Sequence, residues 1–240
     1  MTITSPKWIV GHVLVVLAVA TMVSLGFWQL RRLDERQAAN ERVEARARQR
    51  PMLAADVDAG DEFRRATATG TFDAAHEVLV GYRTNDGLPG FHVVTPLILN
   101  GDARTAILVN RGFVPLELAD RWPAQEAAPP QGDVTVLGLV RTSRNGRTPS
   151  PPQSTSTSQT PRTNQVDIDD IDGIVPERLL PAYLELQGPI PQGFPDPLPP
   201  LDLSDGPHRS YAFQWFAFAT VTAAGWTVLL RKRVVVATEL

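Results

Sequence analysis

The chain has 240 residues, a formal net charge of −3 and no cysteine. That length admits one or two domains, and the charge balance excludes a dedicated nucleic-acid binder, which needs a strongly basic domain. Without cysteine there are no disulfides, zinc ribbons, thiol nucleophiles or copper–thiolate sites.

Trp8 to Leu30 is 23 residues without Asp, Glu, Lys or Arg. A helix of that length reaches about 34 Å, enough to cross a bilayer. Arg31-Arg32 close it, as expected where solvated headgroups begin. The competing reading is a cleaved signal peptide, because Ala18-Val19-Ala20 has the small-x-small form, yet the apolar run continues ten residues beyond Ala20. A retained transmembrane helix over residues 8–30 is therefore expected. Residues 31–50 hold seven arginines and four carboxylates, with Glu44 and Arg48 at i, i+4 spacing, and read as a solvated juxtamembrane helical extension that Pro51 stops.

From Phe63 the period changes to two. Phe63–Phe72, Glu77–Thr84, Phe91–Leu99, Thr105–Val114 and Val134–Arg141 are short runs rich in Val, Ile, Thr and aromatics, broken by turn residues. Asn85-Asp86-Gly87 and Asn100-Gly101-Asp102 tolerate positive φ, so the middle three runs predict an antiparallel meander. Ile107, Val109, Arg111 and Phe113 then share one face, and Arg111 needs a partner there. It snorkels, pairs with a carboxylate or contacts another protein. Gly112 reads as a bulge or a close backbone approach.

Seventeen of the 21 prolines fall between Pro115 and Pro207, which leaves room only for short elements there. Residues 147–164, a Ser/Thr/Pro tract, predict a disordered insertion. Val175–Leu180 predicts a helical turn and Ala182–Leu186 a last strand. Asp167, Asp169, Asp170 and Asp172 fail the register of a calcium loop and suit a helix N-terminus. Tyr211 to Leu230 is a second charge-free run, closed by Arg231-Lys232-Arg233, and predicts a transmembrane helix over residues 211–230. The fold class expected is thus an α+β membrane protein in which two transmembrane helices flank a mainly antiparallel β domain over residues 51–207, a small barrel or sandwich. Basic residues beside the two spans conflict in sign, but the positive-inside bias fades for a connection of 180 residues. The termini are accordingly placed in the cytoplasm and the β domain outside the plasma membrane.

Dinucleotide, P-loop, nucleophile-elbow and zincin motifs are absent from the sequence, and no serine has an adjacent base, so the chain does not read as an enzyme. The four histidines show no metal-site spacing. His208 differs from the rest, because Tyr211 and Trp215 follow it at i+3 and i+7 and share its face if the second helix begins a turn early. Phe27-Trp28-Gln29 and Phe213-Gln214-Trp215 stand at that same depth. They form either an ordinary aromatic belt or a haem-sized cleft whose iron would take the His208 imidazole.

Several segments together resemble the Surfeit-locus family of cytochrome c oxidase assembly factors. They are Gly26-Phe27-Trp28-Gln29-Leu30 leaving the first span, Gly70-Thr71-Phe72, Gly90 with Thr95-Pro96-Leu97, Val109-Asn110-Arg111-Gly112-Phe113-Val114-Pro115, and His208-Arg209-Ser210-Tyr211-Ala212-Phe213-Gln214-Trp215-Phe216 entering the second. Departures are Phe113, where the family often has tryptophan, and the Ser/Thr/Pro insertion. The resemblance implies a bacterial two-span membrane protein that handles haem a during maturation of oxidase subunit one, in company with haem a synthase or other assembly factors. It makes His208 an axial-ligand candidate for the haem iron, Trp28, Tyr211 and Trp215 pocket walls, and Gln29, Arg111, Gly112 and Gln214 structural or partner-contact residues. The alternative is a structural envelope protein whose β domain binds another membrane protein.

Overall fold

The computed structural model describes residues 5–143, 153–155, 158–187 and 195–238. These fall into two compact units, Met1–Arg42 with Asp202–Leu240, and Val43–Leu201.

The first unit is a helix pair. Helix α1 is Pro6–Ala47, with proline at the first helical position, where its missing N–H has no intrahelical acceptor to lose. It passes Leu30 without a break and ends at Ala47, four residues before Pro51. The last helix, α4 (His208–Thr238, numbered after two short helices of the β unit), starts at His208, three residues earlier than the charge-free run. Both are long and apolar enough to cross a membrane. They run antiparallel, with the Trp8 and Trp226 rings 5.7 Å apart at one end and Asn40 Nδ2 donating to the Leu203 carbonyl at the other.

In the second unit the strands are β1 (Met52–Leu53), β2 (Arg65–Phe72), β3 (Val78–Asn85), β4 (Leu88–Leu99), β5 (Thr105–Pro115), β6 (Asp133–Thr142), β7 (Gln153–Thr155), β8 (Ser158–Thr163) and β9 (Arg178–Gln187). The short helices are α2 (Leu116–Ala119) and α3 (Ile168–Asp172). The expected meander is present as β3-β4-β5. Strands β2-β6-β9-β5-β4 form a ring closed by β2–β4 pairing, a five-stranded barrel that is antiparallel except between β5 and β9. Its interior holds Ala66, Ala68, Leu97, Leu99, Ile107, Val109, Val140 and Leu184. A second cluster lies on the outer face, where Val94, Ala106 and Leu108 are covered by Val166, Ile168, Ile171 and Val175. A third, with Phe91, Val93, Val114, Leu118 and Trp122, adjoins β3–β5.

Three expectations are corrected. Part of the tract predicted to be disordered is β8, which pairs parallel to β3 through Leu79↔Arg162 and Val80↔Thr163. Main-chain hydrogen bonds need no apolar side chains, and Arg162 fastens the strand by donating to the Ala119 carbonyl at 2.8 Å and lying 5.0 Å over the Phe91 ring. Residues 153–155 of the tract are β7, paired antiparallel with β8, and residues 147–152 and 156–157 are outside the described residues. The helical turn predicted at Val175–Leu180 lies upstream as α3, because Asp167 caps it by accepting from the Asp169 amide; Arg178 onward is strand. Phe113 leaves the face of Ile107 and Val109, since β5 carries an extra residue opposite Val93/Val94 and the side-chain phase inverts there.

Barrel closure depends on Gly70, which pairs with Leu99; a Cβ there would stand 1.9 Å from the Ile98 carbonyl oxygen. Gly70→Ala is expected to cost about 1–3 kcal/mol, read from the urea midpoint, whereas Gly173→Ala, where a Cβ meets nothing within 4 Å, leaves the midpoint unchanged or slightly higher.

Candidate functional site

In the helix pair, the seam between α1 and α4 is set by small residues and aromatics. Gly26 lets Phe216 lie against α1, Phe27 meets Phe216 edge-on at 5.3 Å, and Ala212 and Ala219 are buried. At the Asp202 end of the pair, Gln37 donates to Asp205 at 2.9 Å and Arg36 to the Ser204 carbonyl at 3.2 Å. His208 enters this seam. Its Nδ1 lies 2.9 Å from Gln29 Oε1, and Gln29 is only 9% exposed. An amide oxygen can only accept, so Nδ1 carries the proton and the Nε2 lone pair is uncommitted by this bond. Gly206, in the left-handed region at φ 68°, turns the chain beside the ring.

The other residues singled out from sequence are distributed differently. Trp28 and Tyr211 are 42% and 46% exposed and do not enter the seam. At roughly 100° per residue, Tyr211 sits about 60° to one side of His208 while Ala212 and Ala219 take the buried side. Trp28 instead stacks with Arg32 at 5.7 Å. Trp215 is half-buried, 6.3 Å from the Phe218 ring, and Gln214 is exposed. At the opposite end, Trp226 Nε1 donates to His12 Nδ1 at 3.0 Å.

In the β unit, Arg111 has a carboxylate partner. It is 5% exposed and Glu77 is 4% exposed. The guanidinium donates to Glu77 Oε1 at 2.6 Å, to Thr95 Oγ1 at 2.7 Å and to the Ala127 carbonyl at 2.9 Å, and it lies 5.9 Å from the Phe72 ring centroid. Thr95 donates onward to Glu77 Oε1, and Trp122 Nε1 donates to Glu77 Oε2 at 3.1 Å. Burial pulls the Arg111 pKa down and Glu77 opposes it. The pair stands between the barrel interior and the third apolar cluster. Sequence reasoning missed Glu77, Thr95 and Trp122. For Thr95 there was a signal, since alternation places its lone hydroxyl between Val93 and Leu97.

Gly112 follows with φ 134°, and a Cβ there would stand 2.1 Å from the Asp196 carbonyl oxygen. The close approach lets Phe113 and Asp196 exchange backbone hydrogen bonds at 2.8 and 2.7 Å. The Gly112 amide also donates to Asn110 Oδ1 at 3.2 Å, which turns Asn110 Nδ2 toward His92 Nδ1, 3.2 Å away. Burial, helped by the Arg83 charge, pushes the His92 pKa down to about 4.

Comparison with known proteins finds a match to the SURF1 family over residues 16–220. The chain is 31% identical to a SURF1-like protein of Monosiga brevicollis over 226 residues, covering 87% of this chain and 83% of that one. An uncharacterised SURF1-like protein of Mycobacterium tuberculosis is 27% identical over 164 residues, 68% of this chain and 58% of its own length. Surfeit locus protein 1 of Mus musculus is 31% identical over 152 residues, 56% and 49% of the two chains. The chain thus spans most of the first relative and about half of the other two.

Removing one member of the buried pair strands the other charge. Arg111→Met or Glu77→Leu alone is expected to cost about 3–5 kcal/mol, and the double variant less than either, as a double-mutant cycle by chemical denaturation will measure. His92 is held neutral in the folded state, so the unfolded chain binds more protons between pH 6.5 and about 4. Stability therefore falls with acid through that window, by about 2 kcal/mol after allowance for partial exposure. His92→Gln is expected to flatten that part of the stability–pH curve.

Proposed function

The chain belongs to the SURF1 family, and from that premise we propose that it is a membrane-anchored assembly factor for cytochrome c oxidase that assists haem a delivery to, or insertion into, subunit one. In this reading α1 and α4 cross the plasma membrane, the termini are cytoplasmic and the β unit is extracytoplasmic. Its partners are subunit one and haem a synthase or other assembly factors.

The observation that carries the haem reading is the His208–Gln29 bond at 2.9 Å. An imidazole whose Nδ1–H is already committed leaves Nε2 as the ring nitrogen for a metal and fixes the ring orientation that a ligand needs. The His208 imidazole is the group that would hold the iron of a haem a cargo, which would supply a Lewis-acid centre for the imidazole nitrogen. Gln29 orients the ring, Gly26 and Phe216 keep the helices close enough for that bond, and Trp28, midway along α1, and Tyr211 and Trp215, near the start of α4, offer aromatic surface. The chain breaks no bond in this role; it holds and passes on.

Deleting the gene is expected to lower the haem a content of the oxidase while subunit synthesis continues. Normal oxidase spectra in the deletion strain would exclude the assembly role. Full-length protein co-expressed with haem a synthesis is expected to show a Soret band that His208→Ala weakens, with Gln29→Ala intermediate. An unchanged band would remove His208 from the ligand role while leaving the assembly role standing.

A further inference from the structure

A cavity of about 360 Å3 opens on the outer face of the β unit, built across five strands. Arg83 comes from β3, His92 from β4, Asn110 from β5, Arg141 from β6 and Glu185 from β9, with Val80 and Val166 as apolar wall. Small-molecule sites have this size and this mixture of apolar surface with a few fixed polar groups.

Its polar groups are oriented by a chain of bonds that starts in the backbone. The Gly112 amide takes Asn110 Oδ1, so the Asn110 amino group faces His92 Nδ1, and the neutral imidazole carries its proton on Nε2. The ring is thereby a donor on the side away from Asn110. Among the described residues Arg83 bonds only to carbonyls, Gly81 O at 3.2 Å and Asn164 O at 3.3 Å, and no carboxylate of theirs lies within 4.0 Å of it. Arg141 lies 4.7 Å over the Phe63 ring and 3.8 Å from Glu62 Oε1, and its buried Nε, 3.4 Å from Glu185 Oε1, makes no hydrogen bond. Arg141 is thus answered by two carboxylates, whereas Arg83 keeps its charge uncountered beside the His92 donor, and the cavity holds an excess of N–H donors. Each unanswered donor at a half-buried position favours an acceptor-rich occupant.

We propose that this cavity binds a small organic monocarboxylate, its carboxylate taken by Arg83 and the His92 Nε2–H and its apolar body resting on Val80 and Val166. A single negative charge answers Arg83, whereas the second charge of a dianion would meet the Glu185 carboxylate. The proposal does not depend on the haem reading, and its test involves no oxidase.

The full-length protein in detergent micelles, with its four histidines isotope-labelled, is titrated at fixed ionic strength and neutral pH with sodium benzoate, and separately with benzamide and with sulfate. Benzoate is expected to move the His92 ring signals saturably while those of His12 and His208 stay in place. Benzamide and sulfate are expected to leave His92 unmoved. Arg83→Gln is expected to weaken benzoate about tenfold or more, with an unchanged urea midpoint. The proposal is overturned if benzoate leaves His92 unmoved, if benzamide or sulfate moves it equally, or if Arg83→Gln, folded, binds benzoate as the parent does.

Discussion

A guanidinium can stay in the wall of a small β-barrel only where its donors and its charge are answered, and Arg111 meets that condition through Glu77, Thr95 and the Ala127 carbonyl. Those three partners come from separate stretches of chain, before β3, within β4 and after α2, so the ion pair ties together the strands and the loop that closes over them. Its position also governs phase. Asn110 and Arg111 project to opposite faces as neighbours in a strand do, and because β5 is bulged between Asn110 and Gly112, Val114 rather than Phe113 joins Phe91 and Val93 in the third cluster. One irregularity therefore serves the buried pair, the approach of the Asp196 segment and the polar outer face at once.

The helix pair follows a different logic. Its windows of high hydropathy are hardly buried, and contact runs along a stripe that includes Gly26, Ala212, Phe216, Ala219 and the Gln29–His208 bond and ends at Trp8, His12 and Trp226. Small residues let two backbones approach, and a side-chain amide facing an imidazole then joins them at a chosen level. The apolar surface left exposed is of the kind that two helices of spanning length would present to hydrocarbon chains, which solvate it as well as protein does.

The two spanning-length helices, the β3-β4-β5 meander and most strand limits were legible because each is written in local sequence, as an uncharged run or an alternation bounded by turn residues. The resemblance rested on motifs whose physics is now visible. Gly70 is the closure of the barrel, Asn110-Arg111-Gly112 is the bulge, and Gly26 with Gln29 is the helix seam. What local pattern could not carry were relations between distant segments. Nothing near Arg111 names Glu77, 34 residues earlier, as its partner. Nor does a tract of serine, threonine and proline reveal that β3 offers it an edge, because an edge strand is recruited through its main chain. The i+3 step from His208 to Tyr211 suggested a shared face, and the true seam chose i+4 because alanine, not tyrosine, allows the helices to meet.

The parallel pairing of β5 with β9 bears on the order in which the chain can mature. Strand β9 is the last to be synthesised and lies between β5 and β6, so until residue 187 has emerged both neighbours present unpaired main chain. Antiparallel β2–β6 and β3-β4-β5 can form as translation proceeds, but the ring stays open, and an open ring with two exposed edges is a substrate for chaperones or for mispairing. A nascent chain halted before β9 is thus a half-built cylinder rather than a smaller domain, which makes the proline-rich stretch leading to it an obligatory waiting period in biogenesis.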